Sequence, residues 1–268
     1  MSCGSERAAS RKHHRSPLGD ARAPEHGERG EPNIYAQIEA WRTRPIKGSH
    51  PCVFLDGLWL KHSWTGKVRD VSLLVAISVN DEDFREALAV AEGSKENKAS
   101  WTAFLWHLKE RGLKGVPLFV WDKCLGLVES LGEFYPEVLW QRCAVHSYRN
   151  VWATVPTSKV KEVAAMMKAI HAQEDCAAAR EKAEQVAAKL KEMKLADAAA
   201  LVLSRIEETL FDCAFSRGHW RSLRTNNPPE QMQILLEVRR RTRAAGAFPD
   251  GNSALMLAAR LRHVAGTK

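Results

Sequence analysis

The hydrophobic pattern changes period along the chain, and each change marks an element. A run of apolar positions from Cys52 to Leu60 follows the loop-like Gly48-Ser49-His50-Pro51 and predicts a buried strand over 52–60. Two more strand-like runs, 68–79 and 86–92, are set off by Thr65-Gly66 and by Asn80-Asp81-Glu82-Asp83. Consecutive strands with short connections predict an antiparallel meander. The period then lengthens: Trp101, Phe104, Leu105 and Leu108 recur at helical spacing between Lys98 and Arg111, and Gly112 supplies a stop. A strand over 116–121, a helix over 125–134 and a strand over 138–143 complete the series. Ahead of it, Ile34, Ile38 and Trp41 predict a helix over 34–44 that Pro45 ends.

The resulting order, β-β-β-α-β-α-β, is that of the ribonuclease H fold. The expected fold class is therefore α/β with a mixed sheet. From Asn150 to Phe211 the texture becomes helical, rich in Ala, Lys, Glu, Leu and Met. Ser158 is placed to cap a helix there, and a break is expected near 171–175. This block reads as a separate helical domain or a partner-binding bundle. A closing helix pair is expected over 228–244 and 252–264. Four regions follow: a basic tail over 1–33 with too little to bury for a fixed structure, a first part of the core over 34–149, a helical block over 150–215, and C-terminal helices over 216–268 that complete the core.

Two carboxylates interrupt this pattern. Asp56 lies inside the first apolar run and Asp122 closes the run Val116-Pro117-Leu118-Phe119-Val120-Trp121. An acid in an apolar strand needs a cation, either a basic side chain at a strand end or a metal. Charge narrows the choice of partner. The chain of 268 residues has a formal net charge of +8, and residues 217–268 hold ten Lys and Arg against three acids, Glu230, Glu237 and Asp250. Such a balance favours a polyanion. The six cysteines show no C-x-x-C pair, which indicates neither a disulfide framework nor a zinc ribbon and makes a reducing, cytoplasmic setting the default. No apolar stretch is long enough for a membrane span, and no membrane partner is expected.

Several blocks at consistent spacing carry a resemblance. Leu55-Asp56-Gly57 with Trp59-Leu60-Lys61, Arg111-Gly112-Leu113-Lys114-Gly115, and Trp140-Gln141-Arg142-Cys143 with His146 and Arg149-Asn150 form the first half. Arg224-Thr225-Asn226-Asn227-Pro228 with Glu230, then Arg239-Arg240-Arg241-Thr242-Arg243 and Gly246-Ala247-Phe248-Pro249-Asp250, form the second. Together they resemble the Mutator-type insertion-sequence transposases of bacteria. The resemblance implies a ribonuclease H-like domain, with the helical block over 150–215 as an insertion before its last catalytic helix, and an Asp, Asp, Glu site formed by Asp56, Asp122 and Glu230 as catalytic residues and metal ligands. It implies Mg²⁺ or Mn²⁺ as a two-metal cofactor, in keeping with the hard oxygen donors of three carboxylates. Cys143 and His146 match the family's C-x-x-H signature, in a structural role or supporting the ligands; a buried thiol beside a hydrogen-bonded histidine is the plainer account. Arg224, Arg239, Arg240, Arg241 and Arg243 are expected to contact DNA phosphates, or else to form a solvated helix face.

The expected function is metal-dependent cleavage at insertion-sequence ends and strand transfer into target DNA, by a homo-oligomer assembled on double-stranded DNA in the nucleoid. Two departures set an alternative beside it. The segment 231–238 is about two residues longer than the family spacing, which turns a helix by about 200° and makes Glu237 a second candidate acid. The family's N-terminal DNA-reading region has no counterpart before Trp41, so the chain reads as a truncated copy. The alternative is an inactive remnant that binds DNA or an intact transposase; a nuclease acting outside transposition is a third reading.

Overall fold

The computed structural model describes residues 36, 39–64, 67–80, 85–93, 97–122 and 125–225. The order of elements is a helix that includes 39–43 (α1), β1 (Cys52–Trp64), β2 (Lys67–Val79), β3 (Arg85–Gly93), α2 (Lys98–Glu110), β4 (Leu118–Trp121), α3 (Leu125–Phe134), β5 (Leu139–Arg142) and α4 (Ala144–Trp152). Then come α5 (Val160–His171), α6 (Cys176–Glu192), α7 (Ala196–Arg205) and α8 (Arg217–Leu223), with short 3-10 turns at Thr157–Lys159, Glu207–Thr209 and Phe211–Ala214. The expected basic tail and the closing helix pair lie outside the described residues.

Among the described residues five strands form one mixed sheet in the order β3-β2-β1-β4-β5. β1 pairs antiparallel with β2 and parallel with β4, and β4 pairs parallel with β5. The expected α/β class with a mixed sheet is therefore observed. β1 runs four residues past its apolar stretch because pairing with β2 continues through polar positions, Lys61 opposite Asp70 and His62 opposite Arg69. Backbone hydrogen bonding, unlike hydrophobic period, does not depend on which side chains are present.

Alternation in the strands splits the apolar residues between two layers. Val53, Leu55, Leu74, Ala76, Phe119 and Trp121 face α2 and α3, where they pack with Trp101, Phe104, Leu105 and Leu108. Asn97 starts α2 by accepting the Ser100 N–H at 3.0 Å. Gly112 ends it at φ 102°, its N–H donating to the Lys109 carbonyl. Gly126 lets α3 approach α2 closely: a Cβ there would lie 2.5 Å from the Lys98 nitrogen. Arg111, in the motif before Gly112, is a structural residue. Its buried guanidinium donates to the Arg44 carbonyl at 2.7 Å and the Leu88 carbonyl at 2.8 Å, joining the end of α1 to β3.

The other face carries Cys52, Phe54, Leu118 and Val120, which pack with Leu223 of α8 and with Phe211 and Phe215. A third cluster lies within the helical part and runs from Ala144 and Tyr148 of α4 to Leu210. Two sequence expectations change in this region. Ser158 lies within the 3-10 turn, and Lys159, which makes no side-chain cap bond, precedes α5. Cys176 and Cys213, 37 residues apart, form a disulfide with Cα atoms 6.0 Å apart, a pairing that irregular spacing concealed because the fold alone brings the start of α6 to the turn after α7. The break expected near 171–175 is present, with Asp175 capping α6 by accepting the Ala178 N–H. Among the described residues no helix is long and apolar enough to cross a membrane.

Candidate active site

One carboxylate lies in β1 and the other directly after β4, its parallel neighbour. Cys52, Val53 and Phe54 of β1 pair with Leu118, Phe119 and Val120 of β4. Carried two residues further, the same offset puts Asp56 level with Asp122. Alternation gives both the parity of Phe54 and Val120, whose side chains lie on the sheet face covered by α8. Asp56 is half-buried and its Oδ1 accepts the Gly57 N–H at 2.9 Å. Asp122 is the first residue beyond β4 and is exposed. One acid is thus held at the edge of the core while the next faces solvent.

β5 extends the row. Leu118 to Trp121 pair with Leu139 to Arg142, and the Cys143 N–H continues the ladder to the Trp121 carbonyl at 2.9 Å. Cys143 therefore sits level with Asp122 on the far side of β4. It is fully buried and precedes α4, and His146 lies half-buried in the first turn of that helix. The burial of the Cys143 thiol is the environment of a packing residue. Among the described residues no three His, Cys, Asp or Glu side chains converge on a metal-binding geometry, and the third expected ligand, Glu230, lies outside them with its alternative Glu237. The oxygen donors of Asp56 and Asp122 suit a hard divalent cation.

The chain leading to Glu230 departs from the same corner. Leu223 and Arg224 end α8, and their carbonyls accept from Gln141 Nε2 at 3.1 Å and from the Ala144 N–H at 2.9 Å. These donors flank Cys143, one strand away from Asp122.

Residues 32–264 match the family model described as transposase, Mutator family. The chain belongs to the Mutator family of transposases. It is 37% identical over 222 residues to the transposase for insertion sequence element IS1081 of Mycobacterium tuberculosis, covering 82% of this chain and 52% of that one. The transposase for IS406 of Burkholderia multivorans is 36% identical over 84% of this chain and 57% of its own. That for IS256 in transposon Tn4001 of Staphylococcus aureus is 30% identical over 81% and 55%. The chain spans about half the length of these curated relatives. A solved structure of the simian T-cell lymphotropic virus intasome in complex with PP2A regulatory subunit B56 gamma aligns at a TM-score of 0.26 and 10% identity over 72% of this chain and 62% of its own, too slight a likeness to bear on fold or partners.

Within this Mutator-family chain Arg224 is engaged inside the protein. Its Nε donates to Asp212 at 2.6 Å, another guanidinium nitrogen donates to the His171 carbonyl, and the group lies 5.0 Å from the Trp220 ring centre. Arg239, Arg240, Arg241 and Arg243 lie outside the described residues. Asp212 was not singled out by the sequence pattern, although the signal was available: it is a lone acid within Leu210-Phe211-Asp212-Cys213-Ala214-Phe215, as Asp56 is in its strand. Burial raises the pKa of Asp212, and Arg224 opposes that rise.

The same network holds a buried histidine. One ring nitrogen of His171 lies 2.6 Å from the Tyr148 hydroxyl and the other 3.1 Å from the Thr209 hydroxyl. Burial, with the Arg224 charge nearby, lowers its pKa to about 4. The folded imidazole stays neutral where the unfolded one takes up a proton, so its contribution is intact above about pH 6.5 and is lost progressively as pH falls towards 4. Asp212, with a raised pKa, acts in the opposite sense and softens the slope. Urea unfolding of wild type and His171→Gln as a function of pH is expected to show a difference that shrinks by about 3 kcal/mol over that window. Parallel curves would show that His171 is not buried in the neutral form.

Proposed function

We propose that this chain carries the ribonuclease H-like catalytic core of an insertion-sequence transposase, with the helical block inserted before its last helix, and that it cuts DNA at element ends and joins them to target DNA. The observation that supports this reading best is the parallel pairing of β1 with β4, whose offset carries Asp56 level with Asp122 just beyond β4, in a chain whose relatives are named as transposases. Ligands of open α/β sheets gather beyond the carboxyl ends of parallel strands, where Asp122 lies.

Asp56, Asp122 and Glu230 would hold two divalent cations, Mg²⁺ or Mn²⁺, on carboxylate oxygens. When bound, such a pair supplies activation of an attacking oxygen and stabilisation of a leaving one in an in-line phosphodiester displacement. The protein's own contribution is placement. The Gly57 N–H holds one oxygen of Asp56, and packing of the apolar residues on both sheet faces holds the strand that bears it. Arg239, Arg240, Arg241 and Arg243 would neutralise DNA phosphates near the site, giving affinity that falls as salt rises. No side chain serves as a covalent carrier of DNA, and a homo-oligomer would bring two element ends together.

Incubation of the purified chain with Mn²⁺ and DNA bearing the ends of its own element is expected to give nicks at those ends with free 3′-hydroxyls, abolished by chelator. DNA binding without any metal-dependent nicking would instead establish the inactive, DNA-binding remnant, the reading favoured by the lengthened spacing over 231–238.

A further inference from the structure

Strands β1 and β2 outrun the rest of the sheet. β1 has β4 beside it only from Cys52 to Phe54, and β2 has β3 beside it only from Ser72 to Val79. Past those limits, among the described residues, the two strands pair with each other alone: Leu60 with Val71, Lys61 with Asp70, His62 with Arg69, Ser63 with Val68 and Trp64 with Lys67. These five pairs make a two-stranded ribbon that reaches about 16 Å beyond the sheet at about 3.3 Å per residue. Two strands without a third neighbour are marginal in water, so such a ribbon gains most from a surface to lie on.

Alternation assigns the ribbon's residues to two faces, and the register of β1 with β2 runs without a shift from Cys52 to Trp64. One face continues the row of Phe54 and Asp56 with Leu60, His62 and Trp64, and holds their partners Val71, Arg69 and Lys67. No acid belongs to that face of the ribbon. The other face sets Lys61 opposite Asp70 and Ser63 opposite Val68, so its cation is matched by an acid. The surplus positive charge of the ribbon therefore belongs wholly to the face that continues from Asp56. A one-sided surplus of this kind recruits a polyanion, and an antiparallel ribbon is narrow enough for the major groove of duplex DNA, about 12 Å wide.

Distance along the strand relates this face to the proposed cutting site. His62 and Trp64 follow Asp56 by six and eight residues, about 20 and 26 Å of extended strand. At about 3.4 Å per base pair this spans about six to eight base pairs of B-DNA. We infer that the ribbon of β1 and β2 is a DNA-holding arm, with Lys67 and Arg69 on the backbone phosphates of a duplex about six to eight base pairs from the bond cut beside Asp56. The inference rests on the DNA-cutting reading above and names an element that holds the substrate for it. An acidic protein would answer the same charge, but it gives no reason for the cations to continue the strand that bears the cutting acid.

The test uses the full chain and a fluorescein-labelled duplex carrying an end of its own element, with Kd read by anisotropy across a salt series and folding read by thermal unfolding. Lys67→Ala is expected to weaken binding about threefold to tenfold and to make the slope of log affinity against log salt shallower by about one. Adding Arg69→Ala doubles the change in slope. Lys61→Ala removes the same charge from the opposite face, and is expected to leave affinity within about twofold of wild type and the slope unchanged. Lys67→Arg with Arg69→Lys keeps both charges and is expected to bind as wild type does, which separates lost phosphate contacts from a damaged ribbon. In the Lys67→Ala, Arg69→Ala variant, hydroxyl-radical protection is expected to disappear about six to eight base pairs from the element's terminus. Equal losses for Lys61→Ala and Lys67→Ala, or an unchanged slope when Lys67 and Arg69 are both replaced, would overturn the arm whether or not the chain cuts DNA. Protection lost only at another distance would overturn its placement. Should an Ala variant not fold, Lys61→Gln and Lys67→Gln are compared by the same slope. A slope that falls as expected in a chain that makes no nicks in Mn²⁺ would keep the arm as a DNA contact and remove the cutting reading alone.

Discussion

Replacing Asp56 by Asn is expected to reduce metal-dependent DNA cleavage by roughly a thousandfold while leaving DNA affinity within about twofold of wild type. The loss follows from several kcal/mol of electrostatic stabilisation at about 1.4 kcal/mol per factor of ten. Asn has the volume of Asp and can still accept the Gly57 N–H that orients Asp56 at 2.9 Å, so strand β1 is left undisturbed. Only the negative charge that would hold a divalent cation is lost. In the proposed function DNA affinity would come from basic residues elsewhere and would not draw on this carboxylate. Rates of nicking in Mn²⁺, with binding measured by anisotropy at fixed salt, separate the two effects. Cleavage that persists at the wild-type rate would remove Asp56 from the mechanism. Parallel loss of cleavage and binding would point to a misfolded strand instead.

The second large effect concerns Trp121, which immediately precedes Asp122. Its side chain is buried with α2 and α3, on the face opposite Asp122, and is stacked on Trp140 with ring centres 5.0 Å apart at 27°. Trp121→Ala is expected to cost about 3–5 kcal/mol, a large share of the total stability of about 5–15 kcal/mol common to folded domains. The end of β4 loses its anchor, so cleavage falls with stability. Trp121→Phe is expected to cost less than about 1.5 kcal/mol. The indole N–H has no acceptor among the described residues, so no hydrogen bond is lost with it, and the aromatic contact is kept. Urea midpoints of the two variants measure the contrast. Equal destabilisation would mean that ring shape, rather than apolar volume, controls this layer.

Most of the sheet was legible because its signals are local. The unbroken apolar runs in β1, β2 and β3 mark strands buried on both faces, and the period through Trp101, Phe104, Leu105 and Leu108 expresses which face of α2 is buried. Asp56 and Asp122 stood out because a charge in an apolar run is costly wherever the strand lies. The stop at Gly112 was legible for a similar reason: its φ of 102° is a requirement of its own backbone.

What the sequence by itself determined, then, is the run of elements from β1 to β5, the mixed α/β class, the acids Asp56 and Asp122 as exceptions in apolar runs, and membership of the Mutator family through its spaced motifs. The tertiary structure decided which residues meet across long separations. Strand order put β1 beside β4, pairing Phe54 with Val120 across 66 positions. It turned Arg224, legible only as a cation, onto Asp212, and it brought Cys176 to Cys213. It also made Arg111 a buried link between α1 and β3. A charge or a thiol in a sequence states that it needs a partner, but the partner is supplied by packing, which depends on the whole core and is encoded at no single spacing.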